Sequence, residues 1–258
     1  MNITGAELIS WLATLLWPFM RIGAMFTAAP IFSARSVPVR IRILLAFFTA
    51  LILVPVLPAP PAVDLISGEA LIISISQVLI GLAMGFILQM VFSAFVIAGH
   101  SIATAMGLGF ASMVDPQNGV QVPVISQAFL IMATLVFLAL NGHLIFLDVL
   151  AHSFQTMPVG LFSPSREALW QLVIWGSDMF AGGMLIALPA VAALLLVNLA
   201  FGVTSRAAPQ LNIFAVGFPI MIMVGIAFII LTLPTVTAHL SQLLSQAIEL
   251  IKTYIVVM

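Results

Sequence analysis

Residues 70–114 read ALIISISQVLIGLAMGFILQMVFSAFVIAGHSIATAMGLGFASMV, and no Asp, Glu, Lys or Arg interrupts them. One helix from Leu71 to about Met106 would be roughly 54 Å long at about 1.5 Å per residue, well beyond a hydrocarbon core of about 30 Å. The run therefore either projects out of a bilayer or breaks near Gly99-His100. Of the 258 residues, 63% are hydrophobic and 6% charged, whereas a soluble domain carries about 25% charged residues. Apolar runs of bilayer length recur along the whole chain, which predicts an all-α membrane protein with no soluble domain of useful size left over. A net charge of −1 excludes a broad basic surface for nucleic acid, and the absence of cysteine excludes disulfides, thiolate metal sites and a cysteine nucleophile. Glu7, with no Lys or Arg before the first apolar run, is the wrong start for a cleaved signal peptide, so the first segment is expected to stay.

The run gives way to GLGFASMVDPQNGVQVP at 107–123. Pro116 biases Asp115 away from helical angles, Asn118-Gly119 supplies a turn, and Pro123 suits the opening of the next helix. Phe110, Met113 and Val114 occupy the centre of this loop, and Asp115 is its sole charge. Irregular backbone between membrane segments does not face lipid, because its amides would have no partner there, so the loop is expected to be buried in protein or to line a cavity. Met106 and Met113 are flexible and polarizable enough to close a constriction, although apolar filling is the plainer role for methionine. Gly107 and Gly109 follow no strand and have no basic neighbour, so phosphate binding is not credible.

Five further segments surround this one: about Ala6–Ala29 with Pro18 and Arg21, Ile43–Leu57, Val124–Leu150, Leu169–Leu199 and Ile213–Leu233. Arg35, Arg40 and Arg42 in the first connection, with Arg206 later, mark a cytoplasmic face and place both termini outside, although Arg166 and Lys252 oppose that count. Segments three and five are too long for plain spans, segment two is too short, and prolines lie inside segments one, five and six. Bent and staggered helices fit this mixture better than uniform crossings. Beyond Pro234, Leu240, Leu243, Leu244, Ala247, Ile248 and Ile251 fall at helical spacing, as in an interfacial or subunit-packing helix. Gly81 and Gly85 form a G-x-x-x-G pair that admits a second helix closely, from this chain or a partner.

Catalytic patterns are sparse. His100, His143, His152 and His239 have no i, i+4 pairing and no carboxylate at ligand spacing, and nothing positions Ser101, Ser126 or Ser177 for hydrolysis. Arg21, Asp148 and Asp178 lie in apolar segments, where a charge suggests an ion or substrate relay and hence a secondary transporter. The plainer reading pairs them with each other or a partner subunit, or puts them outside hydrocarbon.

Trp17-Pro18 with Arg21, Ala29-Pro30-Ile31-Phe32-Ser33, Val37-Pro38, Met106-Gly107-Leu108 through Val114-Asp115-Pro116, Asn141-Gly142-His143-Leu144, Met157-Pro158, Ala208-Pro209-Gln210-Leu211 and Gly217-Phe218-Pro219 occur in that order. This succession resembles the FliR family of the flagellar type III secretion export gate. The resemblance implies no enzyme and no cofactor, but a single integral membrane domain over 1–258 in the bacterial inner membrane and flagellar basal body. Residues 1–123 and 124–200 would be a FliP-like helical part and about 200–258 a FliQ-like hairpin. The implied partners are FliP and FliQ subunits, other export-apparatus membrane proteins, membrane lipid and the exported unfolded flagellar proteins. It further implies that the hydrophobic segments form long, kinked hairpins in a hetero-oligomeric pore complex. In that complex Met106, Gly107, Gly109, Phe110, Met113, Val114, Asp115 and Pro116 would belong to a pore plug, and Gly81, Gly85, Arg206, Pro209 and Gln210 to subunit packing.

Overall fold

The computed structural model describes residues 5–34, 37–108, 123–161, 165–207 and 213–256, and these are helical apart from their connections. The α-helices are α1 (Gly5–Ala28), α2 (Val39–Leu53), α3 (Gly68–Ala105), α4 (Val124–Ala139), α5 (Gly142–Thr156), α6 (Arg166–Ala207) and α7 (Ile213–Leu250), with a short 3-10 turn Val54–Val56 after α2. Among the described residues, four helices are long and apolar enough to cross a membrane, or five if α4 and α5 make one broken span.

Three boundaries differ from the sequence reading. Segment three does not break at Gly99-His100: α3 runs unbroken for 38 residues, about 57 Å. Segment four is two helices, because Asn141 takes a left-handed conformation (φ 55°) that asparagine tolerates and a helix interior does not. The last segment does not stop at Pro234, which lies inside α7. Leu240, Leu243, Leu244, Ala247 and Ile251 are buried within this chain, so their stripe needs no lipid or partner to cover it.

The chain falls into two compact units, and α3, α6 and α7 each contribute to both. The first takes the described parts of Met1–Met90, Asn141–Trp175 and Leu244–Met258. Its α1–α2 turn is held by stacked Phe26 and Phe32 rings 4.4 Å apart and by Arg42 Nε donating to the Phe32 carbonyl at 2.9 Å. Those contacts hold Ile31 at φ 72°, an unfavourable conformation for a β-branched residue. Trp17 is buried with Ala13, Ala70 and Ile73, and its indole donates to Ser74 Oγ at 3.2 Å. Trp175 on α6 donates to the Ile87 carbonyl of α3 at 3.1 Å. On α2 only Ala46 and Ala50 are buried, and most of the apolar side chains of that helix are exposed.

Gly81 and Gly85 lie against α1 of the same chain. A Cβ at Gly85 would stand 2.7 Å from Ala28 Cβ and 2.8 Å from the Met25 carbonyl oxygen, and one at Gly81 would collide with the Arg21 carbonyl. Backbone cannot yield as a side chain tip does. Gly81→Ala is therefore expected to cost about 1–3 kcal/mol. Gly176→Ala, where a Cβ meets nothing within 4 Å, should instead stabilise by about 0.5–1 kcal/mol. Thermal unfolding of the two purified variants in detergent checks this, and equal midpoints would contradict the close packing.

The second unit takes the described parts of Val91–Leu140 and Gly176–Leu243. Here α3 and α4 form an antiparallel hairpin. Phe92 meets Phe137 edge to face at 5.6 Å, and α4 buries Ser126, Phe129, Ala133 and Phe137 as one stripe. Gly183 brings α6 onto α3, since a Cβ there would lie 2.7 Å from the Ala94 carbonyl oxygen.

Candidate functional site

The two roots of the loop after α3 are fixed by backbone geometry. α3 ends at Ala105, and the next residues close its free carbonyls: Gly107 N–H donates to Thr104 O at 3.0 Å and Leu108 N–H to Ala103 O at 2.9 Å. This paired pattern requires a left-handed residue at Gly107, whose φ is 82°. Met106 is buried (1% exposed). Gly107 faces the Phe218 ring of α7, whose Cδ2 and Cε2 would be 3.6 and 3.7 Å from a Cβ there.

On the return side, Pro123 is extended (φ −51°, ψ 143°) and α4 begins at Val124. A Cβ on Gly99 would lie 2.5 Å from Ser126 Cα and 2.9 Å from its nitrogen, so the first turn of α4 rests directly on the α3 backbone. Gly109, Phe110, Met113, Val114, Asp115 and Pro116 lie outside the described residues, as do Pro209 and Gln210. Arg206 is exposed in the last turn of α6, where its charge complements the carbonyl end of the helix.

In the first unit, Arg21 is the most constrained polar group. It is fully buried, with Nε donating to Gln77 Oε1 at 2.8 Å, Nη1 to the Ser153 carbonyl at 2.9 Å and Oγ at 3.1 Å, and Nη2 to the Met157 carbonyl at 2.9 Å. The guanidinium carbon lies 4.1 Å from the Phe154 ring centroid. Every one of these partners is neutral, so of the plainer alternatives for Arg21, Asp148 and Asp178, pairing with each other is not the one Arg21 takes. The carbonyls of Ser153 and Met157 close the C-terminus of α5, and the partial negative charge of that helix end takes the place of a carboxylate. Asp148 and Asp178 are both exposed.

The sequence alone does not mark Gln77, Ser153, Phe154, Met157, Phe218 or Gly225 as site residues. A glutamine inside a charge-free run was the one signal available for Gln77. The others are joined to their partners across long sequence separations that periodicity does not register.

The chain matches the model of the family described as bacterial export proteins, family 1, over residues 12–247. It is similar to the flagellar biosynthetic protein FliR of Escherichia coli (strain K12), at 38% identity over 251 residues, covering 97% of this chain and 96% of that protein. It is similar also to the protein of that name from Bacillus subtilis (strain 168), at 34% identity over 94% of this chain and 95% of the relative. The Aquifex aeolicus (strain VF5) protein is 32% identical over 90% of each. Together with an all-helical fold in which four described helices are long and apolar enough to cross a membrane, these matches establish that the chain belongs to the FliR family of bacterial flagellar export proteins.

Proposed function

We propose that this chain is a pore-forming subunit of the flagellar protein export gate in the bacterial inner membrane. It assembles with FliP and FliQ subunits and passes unfolded flagellar proteins, and residues 107–123 plug the pore. Residues up to about 200 act as the FliP-like part, with about 200–258 as a FliQ-like hairpin.

The observation that carries the plug reading is the rooting of the loop. Gly107 leaves α3 through a left-handed cap against Phe218, and the α4 end is pressed onto α3 at Gly99 and Ser126. A segment held at both roots stays where it can block a pore. Exposed apolar surface, such as Ile43, Leu44, Phe48 and Ile52 of α2, supports assembly with other helices or lipid. The neutral surroundings of Arg21 favour a structural clamp over a relay.

Mass spectrometry of the gently solubilised native complex tests the assembly. This chain is expected in one particle with FliP and FliQ subunits. A lone monomer or homodimer would contradict the proposal.

A further inference from the structure

α7 carries Phe218, Met221 and Gly225 at i, i+3 and i+7, so they share one helix face. Met221 is buried on that face, and the ring of Phe218 lies beside Gly107. Gly225 meets the end of α3: a Cβ there would stand 2.5 Å from Met106 Sδ, 2.6 Å from its Cγ and 2.7 Å from its Cε. Met106 thus fills the space that any other residue at 225 would need. The buried side chain that follows α3, Met106, and the left-handed Gly107 after it both rest on α7.

We propose that Gly225 and Phe218 are positioning residues for the loop that begins at Gly107: the Met106 thioether seated in the notch at Gly225 fixes the direction in which the loop leaves α3. A thioether is the flexible part of its side chain, so a Cβ at 225 displaces Met106 more readily than it separates the helices. Met106 is the residue immediately before the left-handed cap at Gly107. The functional consequence rests on the plug reading, while the seat itself does not.

The chain contains no cysteine, so a single Leu108→Cys is the one thiol it presents, and the complex without that substitution supplies the background rate. In the assembled complex, two quantities are measured: the rate at which a membrane-impermeant maleimide modifies that cysteine, and resting ion conductance in planar bilayers. Gly225→Ala is expected to raise both several-fold, with conductance staying below that of a loop deletion. In a Met106→Ala background it should add nothing, because the group it displaces is gone. Phe218→Leu, which adds no volume and therefore tests the seat without threatening assembly, should move the labelling rate in the same direction.

An unchanged labelling rate in both Gly225→Ala and Phe218→Leu would overturn the seat. So would a Gly225→Ala effect of full size in the Met106→Ala background. If labelling rises while neither Gly225→Ala nor the loop deletion changes conductance, the seat stands and the plug reading fails.

Discussion

Arg21→Ala is expected to lower the unfolding free energy by about 3–5 kcal/mol, since each buried acceptor left without its donor costs about 1–3 kcal/mol and partial relaxation recovers some of the sum. The acceptors that lose their donor are Gln77 Oε1 and the Met157 carbonyl, while the Ser153 carbonyl keeps the Met157 N–H at 3.0 Å; together these contacts tie α1 to α3 and to the end of α5. Arg21→Lys should recover little of the loss. An ammonium is a compact point charge, and it cannot reach three acceptors that the planar guanidinium fork meets from Nε, Nη1 and Nη2. That comparison also separates a clamp from a relay. A relay that needs only positive charge at position 21 keeps its function in Arg21→Lys, whereas a clamp does not. Thermal unfolding of the purified variants, read beside motility in cells, provides the measurement. A loss below about 1 kcal/mol for Arg21→Ala would contradict the network, because a single buried unsatisfied acceptor already costs that much.

Much of the helical layout is legible in the residues, for reasons that are local. The absence of charge from Ala70 through Val114 marks α3. Gly107 and Pro123 bracket the loop, and the structure caps α3 at Gly107 and opens α4 at Val124. Asn141 was harder, because Leu138, Leu140 and Leu144 keep hydropathy continuous across it. The φ of 55° and the 67° bend between α4 and α5 show that the backbone turns there. Pro234 looks like a stop by the rules for soluble helices. Inside an apolar helix the remaining backbone bonds have no water competing for them, and α7 continues to Leu250. The Arg21 cluster joins residues up to 136 positions apart, so no window of sequence contains it. The pair Gly81 and Gly85 announces a close helix, while only the fold identifies that helix as α1 of the same chain.

The second large effect concerns the loop itself. Phe110, Met113 and Val114 are the apolar stopper in the proposed plug, and an apolar constriction blocks ions by excluding water. Removing residues 110–119 takes away that stopper and leaves both roots in place. Because Gly99 and Ser126 hold α3 and α4 backbone to backbone, a shortened connection should still bridge them and the hairpin should keep its packing. The most direct test is therefore the resting ion conductance of the assembled complex carrying this deletion, in planar bilayers, with subunit composition verified on the same sample. The account predicts a many-fold rise over wild type at unchanged composition. Wild-type conductance in a correctly assembled deletion complex would contradict it.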